Sequence, residues 1–314
     1  MSTLRLATRG SPLALLQCEL VADALRMSNA GLQVEVVVIR TRGDESSLPL
    51  DQIGGQGVFV TEVEAAVADG RADAAVHSAK DMPSVMGERL VLAAVPPRGD
   101  PRDGLVGCAL ADLPPGGLVA TGSARRRSQL ANLRPDLMFT EVRGNMERRV
   151  RTGEDGSVSA VVVAVAAMDR LGWTSRLSDI LDPMDVLPQA GQGALALQCR
   201  AGDTDTIRVL RTVDDDATHR AIRAERAVLA GLGGSCAVPV GAWAEPVADS
   251  SELRVHGLLA SGDGRTVIRM THTGEDPESV GGELARRLLV DGGGSGIDGF
   301  DADAPVQPGA FVAR

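Results

Sequence analysis

The chain has 314 residues, 44% hydrophobic and 24% charged, with a formal net charge of −10 at pH 7. That length holds two or three domains with substantial cores, and the acidity argues against a polyanion as general partner. Aromatic residues make up only 2%, with no Tyr, which argues against base-stacking surfaces for nucleic acid. No apolar run approaches membrane-spanning length, and residues 1–8 resemble no signal peptide. The four cysteines, Cys18, Cys108, Cys199 and Cys236, lie far apart without a CxxC pair, and the four histidines lack ligand spacing. Reduced thiols, no metal and a cytoplasmic location are therefore expected.

Leu4 to Thr8 reads as a first strand. Ser11 as N-cap, with Pro12 at the first helical position, opens a helix whose Leu13, Leu16, Leu20, Ala24 and Met27 keep one face. Gln33 to Ile39 is a valine-rich second strand, and residues 40–57 turn to Gly, Asp, Ser and Pro, a long loop able to act as a lid. Val58 to Asp69 reads as a helix ended by Gly70, Ala72 to Val76 as a buried strand, and Leu90 to Val95 as another strand. The run Pro96-Pro97-Arg98-Gly99-Asp100-Pro101 breaks regular structure and reads as a crossing between domains.

The alternation then restarts, with strands at 118–121 and 137–142 and helices at 123–133 and 145–151. Val158 to Ala167 reads as a buried strand running into a helical turn. The strand Ala194 to Leu197, after the turn Gly191-Gln192-Gly193, reads as the return into the first domain. Two such crossings imply a cleft between two α/β lobes, with hinge motion. Beyond Asp214-Asp215-Asp216 come a helix over 221–229, strands at 238–244, 253–260 and 266–272, and a closing helix over 277–289. The expected domains are 1–95 with 194–212, then 99–190, then a small α+β domain over 215–290, with 291–314 a disordered tail.

Three stretches carry candidate chemistry. The chain has one lysine, Lys80, against 31 arginines, and it stands beside Asp81 where a strand leaves its sheet before Pro83. The alternative is a surface Lys-Asp pair in a turn. Residues 121–151 hold eight arginines against three acids, a net of +5 inside a protein of −10. Thr121-Gly122-Ser123 leads a strand into a helix opening with Arg125 and Arg126, so free N–H groups, the helix dipole and guanidinium charge combine as an anion site. A solvated basic helix paired with acids elsewhere is the alternative. Cys236 follows Gly231, Gly233 and Gly234, which let the backbone project a thiol clear of side-chain cover. Cys18, Cys108 and Cys199 read as inert core thiols.

A series of motifs resembles the porphobilinogen deaminase family: residues 7–14 (ATRGSPLA), 54–57 (GGQG), 77–83 (HSAKDMP) and 100–103 (DPRD). Arg125-Arg126, residues 142–145 (VRGN), 170–172 (RLG), 191–193 (GQG), and Gly234-Ser235-Cys236 with Pro239 continue it in the family's order. The resemblance implies an enzyme that joins four porphobilinogens head to tail, releasing ammonia and hydroxymethylbilane. It implies one covalent dipyrromethane cofactor per chain, held by a thioether to Cys236, and a catalytic carboxylate at Asp81. Loss of ammonia leaves an electron-poor ring, and a carboxylate suits the developing positive charge. Lys80, Ser78, Thr121, Ser123, Arg125, Arg126, Arg143 and Gln192 match cofactor contacts, and Arg9, Ser11, Phe59, Arg149 and Arg170 match substrate contacts. Each pyrrole carries two carboxylates, so a growing polypyrrole demands many cations. Gln52 and Gln56 stand where the family often has lysine, and Ser235 where many relatives have glycine.

The expected fold is thus two doubly wound α/β lobes of periplasmic-binding-protein-like type around a cleft, plus a small α+β domain. The expected partners are porphobilinogen and the growing polypyrrole, without nucleic acid or membrane, and the expected state is a monomer. A non-catalytic two-lobed anion-binding protein is the competing reading, since such proteins share the lobes and the arginines. They need neither Asp81 nor Cys236.

Overall fold

The computed structural model describes residues 2–41, 60–233 and 239–300. The expected loop 40–57 beyond Thr41, Phe59, Gln52, Gln56 and Cys236 lie outside the described residues. The chain divides into two compact units, Met1–Gly99 with Ala194–Arg220, and Asp100–Gly193 with Ala221–Arg314.

The first unit is built on a five-stranded sheet. Strand β1 (Thr3–Arg9) pairs in parallel with β2 (Gln33–Ile39) and with β3 (Ala74–Ser78), and β4 (Leu90–Ala94) forms the far edge. Between β3 and β4 runs β10 (Leu195–Arg200), antiparallel to both, so the expected return strand re-enters this sheet. Alternation along β1 explains the layers: Leu4 and Leu6 bury against Cys18, Val21, Ala22 and Leu25 of helix α1 (Pro12–Ser28). Ala7 faces the other way, onto Val63, Ala66 and Val67 of α2 (Thr61–Ala68). Ser11 caps α1 by accepting from the Ala14 N–H at 3.3 Å.

The second unit repeats the pattern in the order β7-β6-β8-β5-β9. Here β6 (Leu118–Ala120) pairs in parallel with β7 (Met138–Thr140) and β8 (Ala160–Ala164). The crossing strand β5 (Asp103–Gly107) runs antiparallel to β8 and to the two-residue β9 (Asp179–Ile180). Helix α3 (Ala124–Leu133) buries Leu130 on one face of this sheet. On the other face lie Val150 of α4 (Met146–Glu154) and Met168 of α5 (Val165–Arg170). The sequence reading has no β5, because two glycines and an aspartate in five residues mask it. Gly104 is needed there: a Cβ would stand 2.9 Å from the Asp179 carbonyl oxygen and from a Leu177 methyl. It also lacks α6 (Thr204–Leu210), whose Thr, Ile and Val disfavour a helix while the Asp203 cap, accepting from Thr206 N–H at 3.0 Å, supplies one.

Helix α7 (Asp216–Gly231), five residues longer at its start than expected, leads to the sheet β11 (Val240–Pro246), β12 (Leu253–Ala260) and β13 (Val267–Gly274). Helix α8 (Pro277–Leu289) covers that sheet with Val280, Leu284, Ala285 and Leu288. This sheet belongs to the same compact unit as β5–β9. Arg269 on β13 donates to the Met184 and Asp185 carbonyls and to Gln129 on α3, and the Ala242 N–H donates to the Pro188 carbonyl. Residues 291–300 depart from the expected tail: Gly294–Gly296 forms a 3₁₀ turn, and Phe300 is buried in the core of this sheet. The glycine-rich composition hides an anchor one aromatic residue long. Phe300→Ala is expected to lower stability by about 3 kcal/mol in urea denaturation, the usual cost of emptying an aromatic core site; an unchanged midpoint would mean that the segment does not pack.

Candidate functional site

Ligand-facing side chains in such sheets gather where parallel strands end, and both units place candidates there. In the first unit, β1 ends at Arg9, with Ser11 following, and the adjacent β3 ends at Ser78. A 3₁₀ turn, Ala79–Asp81, continues from β3. The Ala79 N–H donates to the Ala194 carbonyl at 3.0 Å, and Ala79 and Met82 are buried. The buried pair anchors the turn, leaving Lys80 half-buried and Asp81 exposed.

Beneath this turn lies a polar chain that the sequence reading omits. His77 is 5% exposed, and its Nε2 lies 3.2 Å from Gln198 Oε1. Gln198 uses its own Nε2 to donate to Glu64 Oε1 at 2.8 Å, so the histidine donates from Nε2. Burial, aided by the charge of Arg9 and only partly offset by the Gln198 hydrogen bond, pushes the His77 pKa down to about 4. Its signal in sequence was faint, since a histidine in an apolar strand reads as core.

In the second unit, β6 ends at Ala120, and Thr121 (buried) and Ser123 (half-buried) make the turn into α3. Ser123 caps α3, accepting from the Arg126 N–H at 3.4 Å, and Thr121 Oγ1 accepts from the Ser123 N–H at 3.2 Å. Arg125 and Arg126 are buried, and both converge on Asp103, which has no exposed surface. Arg125 Nη2 donates to Asp103 Oδ2 at 2.7 Å; Arg126 donates to Oδ1 from Nε at 3.1 Å and from Nη2 at 2.6 Å. Gln192 Nε2 adds a bond to Oδ1 at 2.8 Å and one to the Pro101 carbonyl at 2.6 Å. Burial alone would raise the pKa of Asp103, but the two guanidinium charges and their hydrogen bonds hold it well below the usual carboxylate range. Burial lowers that of Arg125 despite Asp103, with Arg126 repelling it further.

The structure thus gathers Arg125, Arg126 and Gln192 around one carboxylate. Asp103, absent from the predicted site, is its centre; its only trace in sequence was its place in the Asp100–Asp103 motif. Arg143 stands at the turn before α4 and Arg149 within the first half of that helix, Arg143 on Glu141 Oε2 at 3.1 Å and Arg149 Nε donating to the Gly144 carbonyl at 3.0 Å. Arg170 Nη2 donates to the Gly193 carbonyl at 2.6 Å, and burial lowers its pKa. The fully buried Glu225 on α7 accepts from the Gly191 N–H at 2.7 Å and the Ala244 N–H at 2.9 Å, tying the loop that carries Gln192 to β11. Cys18 and Cys199 are buried thiols with pKa values pushed up by burial to about 12 and about 11, in keeping with an inert role. Among the described residues no group of acidic, histidine or cysteine side chains could hold a metal.

A family model described as porphobilinogen deaminase, dipyromethane cofactor binding domain, matches residues 4–208, and the C-terminal domain model of the same family matches 219–290. The chain belongs to the porphobilinogen deaminase family. Porphobilinogen deaminase of Roseiflexus castenholzii is 44% identical over 297 residues, covering 93% of this chain and 97% of its own. That of Roseiflexus sp. strain RS-1 is 46% identical, with the same coverage of both. That of Acidothermus cellulolyticus is 43% identical over 98% of this chain and 94% of its own. Among solved structures, the methionine-binding protein MetQ is similar at 12% identity and a TM-score of 0.42, over 68% of this chain and 91% of that one.

Because His77 is neutral when folded and has an ordinary value when unfolded, the unfolded chain binds more protons between the two pKa values. The stability this contributes is complete above pH ~6.5 and is lost as pH falls toward about 4. His77→Gln should flatten that slope, and the His77 imidazole resonances, assigned by their loss in that variant, should stay unshifted from pH 8 down to about 5 by NMR. Titration of His77 near pH ~6.5 would contradict the buried placement.

Proposed function

We propose that Asp81 is the catalytic carboxylate of this enzyme, acting on a primer attached to Cys236 and held through its carboxylates by Arg125 and Arg126. The reaction itself comes with the family: four porphobilinogens are condensed head to tail and ammonia is released, giving hydroxymethylbilane for tetrapyrrole synthesis. The observation that carries the residue assignment is the balance at Asp103. Two buried guanidiniums meet one buried carboxylate, which leaves one positive charge in surplus. Arg125 Nε is also buried, without a hydrogen-bond partner among the described residues. A buried cation in excess and an orphaned N–H are costly unless an anion completes them.

The donor set therefore fits a group rich in carboxylates such as dipyrromethane. When bound, that cofactor supplies a terminal pyrrole carbon as the nucleophile to which substrate units are added. Residues Lys80, Ser78, Thr121, Ser123, Arg143 and Gln192 would share its contacts, and Arg9, Ser11, Phe59, Arg149 and Arg170 those of the substrate. Asp81, exposed on a turn fixed by Ala79 and Met82, is free to face a developing cation, stabilise it and move a proton. Lys80 on the same turn supplies positive charge for a cofactor carboxylate. A non-catalytic anion binder would have no use for an exposed carboxylate on that turn.

We further infer a cytoplasmic monomer acting on porphobilinogen and the growing polypyrrole, with no nucleic acid or membrane as partner. The net charge of −10 and the sparse aromatics support this, and no helix among the described residues is long and apolar enough to cross a membrane. Asp81→Asn should retain fold and cofactor yet release ammonia from porphobilinogen on the order of 10²–10⁴ times more slowly, the usual cost of one positioned charge or proton carrier. Ammonia release at the parent rate would refute the assignment.

A further inference from the structure

Arg125 and Arg126 are consecutive residues in the first turn of α3. Side chains at consecutive helical positions diverge by roughly 100°, and two cations at a helix N-terminus repel both each other and the positive end of the dipole. Left to themselves these guanidiniums would splay apart. They converge instead, because Asp103 Oδ2 takes Arg125 and Asp103 Oδ1 takes Arg126. Backbone carbonyls take one further nitrogen of each, leaving Arg125 Nε: Leu187 accepts from Arg125 Nη1 and Val162 from Arg126 Nη1 at 3.0 Å. Asp103 is itself immobile, placed at the first residue of β5 in register with Ala164 of β8 and held from the side by Gln192.

We infer that Asp103 is a positioning residue, which draws both arginines to one locus and reduces their combined charge to a single surplus, the complement of one ligand carboxylate. This rests on the reading above that the pair holds the primer. It assigns Asp103 no contact with that primer. Its effect is on the direction and charge of the two groups that make the contact.

The test is uptake of the cofactor by full-length protein purified without it, from a host making no porphobilinogen. Porphobilinogen is added, loading is followed by intact mass, and Tm is measured before and after. Asp103→Asn should load on the order of ten- to a hundredfold more slowly, and the rise in Tm on loading should shrink, because misplaced binding groups lose their orientation. Asp103→Glu keeps the charge but displaces the guanidiniums by one methylene, and its loading rate should fall between the two. If Asp103→Asn fails to fold, Asp103→Glu decides alone. Loading of Asp103→Glu at the parent rate, with the full rise in Tm, would overturn positioning. Arg125→Gln and Arg126→Gln separate the two claims. If both load normally, the pair does not hold the primer and the inference falls with that reading. If both fail while the Asp103 variants load as the parent does, only the positioning role is wrong.

Discussion

A carboxylate with no exposed surface, bound by two buried guanidiniums, sets the terms for the second unit. Three charges out of water are expensive, and removing one partner from a buried pair commonly costs about 3–5 kcal/mol. Such a cluster persists when every contact is well made, and much of this unit makes those contacts. The crossing strand β5 delivers Asp103, the loop before β10 delivers Gln192, and the capped first turn of α3 delivers both arginines. Glu225 then joins that loop to β11, so the helix preceding the cysteine-bearing segment is connected to the same polar chain through Gly191. On the reading proposed above, the charge left over is the complement of a primer carboxylate.

The first unit solves a different problem, that of presenting a carboxylate rather than burying one. Asp81 is exposed because Ala79 and Met82 on either side of it are not, and because a hydrogen bond to Ala194 pins the turn to the returning strand. Below it, His77 is kept neutral by burial and orients on Gln198, which sits on that same strand. Both strands that carry the chain between the units therefore contribute polar side chains beside the candidate residues. Asp103 begins the outgoing strand and Gln192 precedes the incoming one.

Much of this was legible in the sequence, for reasons that differ by element. Ser11-Pro12 announces a helix start by local chemistry alone, and α1 begins where that cap predicts. The valine runs of β2 and β8 and the repeated α/β alternation revealed the two similar sheets. Strand β5 was hidden because its glycines answer to close approaches that only tertiary structure supplies, Gly104 to Asp179 and Leu177 and Gly107 to Ser159 and Gly153. Asp103 was hidden with it. An arginine pair advertises itself in a sequence, whereas the buried acid that aligns it, some twenty residues upstream by number and adjacent in space, does not. Phe300 likewise packs from within a stretch whose composition points to disorder.

The central claim is that the surplus cation at Asp103 and the thiol of Cys236 serve one covalent group. The most direct measurement is the intact mass of the protein as purified, followed by peptide mapping. The account predicts a mass above that of the sequence by two deaminated porphobilinogen units, resistant to dithiothreitol and confined to the peptide containing Cys236. A fully active protein at its bare sequence mass, or an adduct on Cys18, Cys108 or Cys199, would contradict it.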